Sequence, residues 1–319
     1  MADTPAPALL PVEIGLTAAI VAVRGDEPLI QIAPGGPQAA LPSGPFNPVL
    51  HRTFEIGLRA SVTQQTGTPL GYVEQLYTFG DRGRHARAGD RDPHVVSVGY
   101  LALTRAEAAG RTPAADLRPW YRFFPWEDWR EGRPAMLDAV IAPALAKWAG
   151  AGNAASGARL PTRAERVRQL FGHDTAPFNE ENVLERYELL YSAGLVTEAA
   201  RDGRVAAPLA ELGQPMRHDH RRILATAMGR LRAKLKYRPV IFELMPAAFT
   251  LTHLQRSVEA ISGRHLHKQN FRRLVETSQA VEPTGQSVHA TGGRPAALYR
   301  FRREVLQERP APGLRVGKT

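Results

Sequence analysis

Apolar positions along this chain follow two periods. Residues 14–23 (IGLTAAIVAV) and 28–33 (PLIQIA) are short apolar runs separated by the turn-like RGDEP, which predicts two strands. HVVSVGYLAL at 94–103 predicts another. Between them, Phe54, Leu58 and Val62 recur at i, i+4 and i+8, so RTFEIGLRASVTQQTG (52–67) predicts an amphipathic helix. Residues 14–104 therefore read as an α/β sandwich.

Residues 105–213 change character, becoming Ala-rich and helical with breaks. MLDAVIAPALAKWAG predicts a helix and AGNAASGARLP (151–161) a flexible link. NEENVLERYELLYSAG places Val183, Leu184, Tyr187 and Leu190 or Tyr191 on one helical face that stops at Gly194. The segment reads as a helical insertion. HDHRRILATAMGRLRAKLKY (218–237) predicts a long helix with Leu224, Met228, Leu231 and Leu235 inward, Arg and Lys on the other side, and Asp219 as cap. Arg238-Pro239 marks a boundary.

Beyond it, FTLTHLQRSVEAISG carries an apolar stripe of Leu251, Leu254, Val258 and Ile261, with Thr252 and Gln255 in capping-box spacing and Thr250 as the alternative cap. Ser262-Gly263 breaks the chain. A second helix then turns Leu266, Phe271, Leu274 and Val275 inward and Lys268, Gln269, Arg272 and Arg273 outward, with Asn270 at the edge. Extended runs follow around Pro-Thr-Gly and Gly-Gly-Arg-Pro, as a β-hairpin wing requires, with Arg294 among them. Helix, glycine turn, basic helix and hairpin fit a winged helix-turn-helix. Arg and Lys suit guanine edges or phosphate, and Gln and Asn suit adenine. The candidate DNA contacts are Thr250, Lys268, Gln269, Asn270, Arg272, Arg273 and Arg294.

Charge strengthens that reading. The net charge is +10, yet residues 238–319 hold 13 Lys/Arg against 6 Asp/Glu, while residues 1–237 hold 28 against 25. A basic terminal module on a nearly neutral body points to a polyanion partner. At 319 residues two domains are expected: 1–237, with the insertion at 105–213, and 238–319. No apolar run is long enough to span a membrane, the N-terminal stretch lacks a basic leader, and cysteine is absent, all of which suit a cytoplasmic protein. His218, His220, His265 and His267 lack the further ligands of a metal site, so no metal is expected of them.

LPSGPFNPVLHRTFEIGLRASVTQQTG resembles a decayed Nudix box. Leu41, Pro42, Gly44 and Thr66-Gly67 keep the loop-helix markers. Gln64 and Gln65 stand where the resemblance places paired glutamates, Ala60 and Ser61 replace the Arg and Glu before them, and Arg52 replaces the first Glu. Magnesium wants charged oxygen ligands in tight geometry, so these replacements imply an anion-friendly pocket in which metal-assisted hydrolysis is lost. A realigned box using Glu55, Glu74 or Asp81 leaves a Nudix-type hydrolase of a nucleoside diphosphate derivative as the alternative. A scaffold binding RNA or protein through its basic end is a third.

Further matches narrow the family. QLYTFGD (75–81), RDP (91–93), VSVGYL (96–101), Asp219-His220, FTLTHLQ (249–255), NFRR (270–273) and GRPAALY (293–299) are similar, in order, to Nudix-related transcriptional regulators of NAD metabolism. The insertion is outside that match and resembles the longer alphaproteobacterial form. The resemblance implies a Nudix-like α/β/α sandwich followed by a winged helix. It implies a homodimeric, non-enzymatic repressor of NAD biosynthesis or salvage genes, without a metal cofactor, controlled by ADP-ribose, NAD or an ATP-like effector. The implied effector contacts are Arg52, Gln64, Gln65, Gln75, Phe79, Arg91 and Asp92, with Phe79 stacking on adenine and Arg91 pairing with phosphate.

Overall fold

A computed structural model of the chain describes residues 11–81, 94–109, 116–151, 161–172, 178–206, 212–288 and 295–305. Arg91, Asp92, Arg294 and nearly all of the link expected at 151–161 lie outside them.

The first apolar runs form the antiparallel pair β1 (Val12–Arg24) and β2 (Glu27–Ile32). Next come β3 (Ser43–Pro45), α1 (Phe54–Thr66), β4 (Val73–Phe79) and β5 (His94–Leu103). β5 runs parallel to β1 from Val12↔His94 to Val21↔Leu103. With a later strand, β6 (Asp116–Pro119), the sheet order is β4-β5-β1-β2-β6, and β3 pairs with β1. Alternation along β1 serves both faces. Leu16, Ala18 and Ile20 pack with Leu58 and Val62 of α1, while Ala19, Val21 and Val23 join the larger core on the opposite side. A strand buried on both sides reads as one unbroken apolar run, which is why its sequence lacks alternation.

After the short α2 (Ala106–Ala109), the segment read as a helical insertion with breaks also supplies the edge strand β6 (Asp116–Pro119), paired to β2. Two 3-10 turns then bury Trp120, Phe123, Phe124 and Trp126. The helix expected in MLDAVIAPALAKWAG opens as a π turn, Leu137–Ile141, before α3 (Ala142–Gly150). Pro143 lacks an N–H and its ring crowds the carbonyl four residues back, so the wider turn relieves both. α4 (Arg163–Phe171), α5 (Val183–Ser192) and α6 (Thr197–Arg201) complete the segment.

α7 (His220–Leu235) covers the second face of the sheet and buries Leu224, Met228, Leu231 and Leu235 as its periodicity predicts. Two expectations for it fail. Asp219 sits at the N-cap position but makes no side-chain cap bond, lying 3.9 Å from Arg222 instead. Nor is the cationic side uniformly solvated, since Arg221 and Arg232 are fully buried.

α8 (Leu251–Ser262) and α9 (Lys268–Ser278) meet at Gly263, whose φ of 72° is the left-handed turn that a glycine accommodates. Thr250, rather than Thr252, caps α8 by accepting from His253 N at 3.1 Å, and Gln255 instead donates to Glu259 and Leu266 O. β7 (Val281–Val288) and β8 (Ala296–Phe301) form the antiparallel wing. Phe249 and Tyr299 exchange backbone bonds at 2.9 and 2.8 Å, tying the wing to the start of α8.

This module is firmly seated on the sandwich. Leu254, Val258, Ala260, Ile261, Phe271 and Val275 belong to the same core cluster as Trp120, Trp126 and Leu231. Tyr121 donates its hydroxyl to Ala260 O at 2.8 Å, and Trp129 N bonds Gly263 O at 2.8 Å. No helix among the described residues is long and apolar enough to cross a membrane.

Candidate effector cleft and nucleic-acid interface

The decayed box keeps its loop-helix form. Thr53 caps α1 by accepting from Ile56 N, and Gly67, at φ 63°, closes its end by donating to Thr63 O. Where the resemblance places a glutamate, Gln65 is engaged with backbone. Its Nε2 donates to Ser43 O at 2.6 Å, and its Oε1 accepts from Ser43 N at 3.3 Å. Ser61, one turn earlier, leaves no room at β3 for more than hydrogen on Gly44, where a Cβ would lie 2.2 Å from Ser61 Oγ. The small neutral replacements thus clamp the loop onto the helix.

Beside this clamp lies a cavity of about 290 Å³, lined by the Ala33–Gln38 turn, Ala40, Leu41, Ser43, Gln65 and Arg217. Among the described residues, its lining contains one cation and no carboxylate. The turn Gly35-Gly36 forms its rim, with Gly35 at φ 84°. The opposite wall is held by His220, whose Nδ1 accepts from Leu41 N at 2.9 Å, and by Arg217 N donating to Ala39 O at 2.9 Å. The cavity is at the lower end of ordinary small-molecule pockets, and its single guanidinium suits an anionic group.

Among the described residues, the donor set at this position does not suit magnesium. Gln65 is neutral and bonded to Ser43. The three carboxylates of a realigned box are each paired with a cation, Glu55 within α1 and Glu74 and Asp81 with α7. Glu55 bonds Arg59 at 2.9 Å, Glu74 lies 3.1 Å from Lys234 and 3.4 Å from Arg230, and Asp81 pairs with Arg222. Among the described residues no group of three or more His, Cys, Asp or Glu could hold a metal ion.

Of the sequence candidates among the described residues, only Gln65 lines the cavity. Arg52 and Gln64 are exposed at the start and on the outer side of α1. Gln75, on β4, accepts from Tyr100 OH at 3.3 Å. Phe79 is a core residue at 2 % exposure, with the Arg222 guanidinium 5.0 Å above its ring, so no face is presented for stacking on adenine. Sequence reasoning missed Ser43, Arg217 and the Gly-Gly turn. APGGPQ is a visible turn signal, but what brings it to Arg217 is a pairing across more than 170 residues.

The insertion supports this wall from behind. Glu198 of α6 accepts from Met216 N at 3.0 Å and pairs with Arg221 at 3.1 Å, fixing the strand-like stretch that carries Arg217. Arg221 is also enclosed by the rings of Phe124, Trp126 and Tyr187. A second buried set joins Glu127 to Arg186 at 2.6 Å and to Arg232 at 2.8 Å. Burial opposes the charge on Glu127, but the two guanidiniums outweigh it and hold the carboxyl below its usual range.

On the winged module, α9 buries Phe271 and Val275 and leaves Lys268, Gln269, Asn270, Arg272 and Arg273 exposed. None of the three cations has an ion-pair partner among the described residues. Thr250 is half-buried and engaged as a cap. The arrangement presents one continuous cationic and amide-bearing helix face to solvent, as a groove-reading helix does.

Residues 241–301 match the NrtR DNA-binding winged helix domain. Over 83 residues the chain is 48% identical to the ADPR responsive transcriptional repressor NtrR of Acinetobacter baylyi, covering 26% of this chain and 33% of that protein. The chain thus spans about a third of the length of the curated relative it matches, 33%. Across the whole fold, the crystal structure of Shewanella oneidensis NrtR complexed with a 27mer DNA superposes with a TM-score of 0.55 at 18% identity, covering 92% of this chain and 95% of that one. A MutT/nudix family protein from Enterococcus faecalis gives 0.50 at 16% identity, with 94% and 90% covered. Residues 241–301 therefore match an NrtR-type winged helix domain, and the chain as a whole shares the fold of the Shewanella oneidensis NrtR structure.

Proposed function

We propose that this chain is a DNA-binding transcriptional repressor whose grip on operator DNA is set by an adenine-nucleotide effector, ADP-ribose foremost, held without hydrolysis in the Nudix-type cleft. Residues 1–237 act as the sensing unit and 238–319 as the DNA-binding unit. The observation that carries the reading is the exposed face of α9, with Lys268, Arg272 and Arg273 unpaired among the described residues, inside a segment that matches a DNA-binding domain. The 48% identical stretch of an ADPR responsive repressor supports the effector class.

The cleft suits that effector through Arg217, the one charged group of its lining among the described residues, and through neutral Gln65, which leaves an entering diphosphate unrepelled. Of the other implied contacts, Arg52, Gln64 and Gln75 reach the ligand only from outside the cavity. Arg91 and Asp92 remain candidates from the resemblance. Regulation requires the effector to bind the DNA-competent and incompetent arrangements unequally. A homodimer reading inverted half-sites is expected, because one winged helix contacts few base pairs. Genes of NAD synthesis or salvage are the proposed targets.

A thermal-shift screen of adenine nucleotides tests the sensing half. A true effector raises the melting temperature with the logarithm of its concentration, and Arg217→Ala abolishes that rise. A screen in which ADP-ribose, NAD and ATP all leave the transition unmoved contradicts the reading.

A further inference from the structure

A second cavity, of about 340 Å³, lies where the sandwich meets the winged module. Tyr72, at the edge of β4, and Lys234, near the end of α7, line it from the body. Phe301, at the base of the wing, lines it from the other side, and Arg238, Val240 and Glu243 come from the connecting turn. Its aromatic wall is braced. Phe301 stacks on Phe242 with centroids 4.3 Å apart at 18°, and Phe242 on Phe249 at 5.8 Å and 30°.

The charges around this wall are not equivalent. Lys234 is committed to Glu74 at 3.1 Å, and Tyr72 donates its hydroxyl to the same carboxylate at 2.9 Å. Arg238 and Glu243 are exposed, and neither has an ion-pair partner among the described residues. The cavity therefore offers flat apolar contact, one guanidinium fork and one carboxylate acceptor. A guanidinium takes a carboxylate in a two-point bond, and a carboxylate takes a donor. A nucleoside diphosphate is a poor match, since its multiple negative charges would face one uncommitted cation with Glu243 alongside.

We propose that this junction cavity binds a small planar aromatic carboxylate bearing a hydrogen-bond donor at its far end, and that it is a ligand site separate from the effector cleft. The carboxylate pairs with Arg238, the ring packs against Phe301 and Tyr72, and the donor reaches Glu243. Because its walls come from both the body and the winged module, the ligand favours one relative placement of the two.

The test uses the full chain without DNA and 4-aminobenzoate as probe, titrated calorimetrically into wild type, Arg238→Ala, Glu243→Gln and Arg217→Ala. Arg238 is exposed and has no ion-pair partner among the described residues, so its removal is expected to leave the fold intact, which matching circular dichroism and melting temperature verify. Saturable binding is expected, weakened at least tenfold in Arg238→Ala, several-fold in Glu243→Gln, and unchanged in Arg217→Ala. Aniline, lacking the carboxylate, and 4-aminocyclohexanecarboxylate, lacking the flat ring, are each expected to bind at least tenfold more weakly. Absence of binding by wild type, equal binding by Arg238→Ala, or loss in Arg217→Ala instead would overturn the proposal. None of these readouts depends on repressor activity, so failure of that reading and failure of this one are distinguishable.

Discussion

Arg232 and Glu127 meet at 2.8 Å, Nη1 to Oε2, with both side chains shut off from solvent, and the same guanidinium donates from Nε to Ile261 O at 3.0 Å. One arginine of α7 thereby ties the aromatic turn of the body to the end of α8. Arg186 shares the carboxylate from the other side.

Replacing Glu127 by Gln leaves two buried guanidiniums facing a neutral amide. We expect a loss of about 3–5 kcal/mol, read by urea unfolding, as for other buried pairs deprived of one partner. The pH dependence follows the same pair. Because the folded-state carboxyl is held below its ordinary value, its contribution is complete above the ordinary carboxylate range and is lost as pH falls through the folded value. Glu127→Gln should flatten that acid limb.

At the position where the resemblance places a paired glutamate, Gln65→Glu introduces a carboxylate yet sets it against Ser43 O, which now accepts from the amide at 2.6 Å. A stability loss of roughly 1–3 kcal/mol is expected from the unmatched acceptors. With magnesium present, the variant should still release no AMP from ADP-ribose, since Glu55, Glu74 and Asp81 remain paired elsewhere.

Much of the layout was legible from periodicity. β5 occupies His94–Leu103 as its apolar run predicts, and α1, α7, α8 and α9 sit where their stripes place them. What stayed hidden depends on long-range pairing. Arg186, Arg221 and Arg232 look like solvated charges on amphipathic helices, whereas Glu127, Glu198 and backbone carbonyls, brought from distant segments, make their burial tolerable. The same limit applies to the cleft. Motif position identified Gln65, whereas Phe79 falls on the inward side of β4 and Arg217 arrives through the Ala39–Met216 bridge.

His253 of α8 supplies a second pH signal. Burial holds its imidazole below the usual value, with Glu107 pulling upward and Arg256 pushing further down. The neutral form is thus favoured in the folded chain. As pH falls through the ordinary histidine value the unfolded chain takes up the proton first, so stability declines from there down to the folded value. Melting temperatures between pH 7.5 and 5 should fall less in His253→Gln than in the parent chain.

On α9, Arg272→Ala and Arg273→Ala should each weaken duplex binding. A phosphate contact removed this way lowers the slope of log affinity against log salt by about 0.9. A base contact costs about 1–3 kcal/mol and relaxes preference at one position. Salt titrations of the single and double variants separate the two roles.

The most direct test of the account follows fluorescence anisotropy of a labelled duplex, selected by the protein from a randomised pool, as ADP-ribose and magnesium are added, with the nucleotide analysed at the end point. The account predicts at least a tenfold change in DNA affinity with the ADP-ribose recovered intact. Affinity that stays constant at saturating nucleotide, or conversion of the ADP-ribose to AMP at enzymic rates, would contradict it.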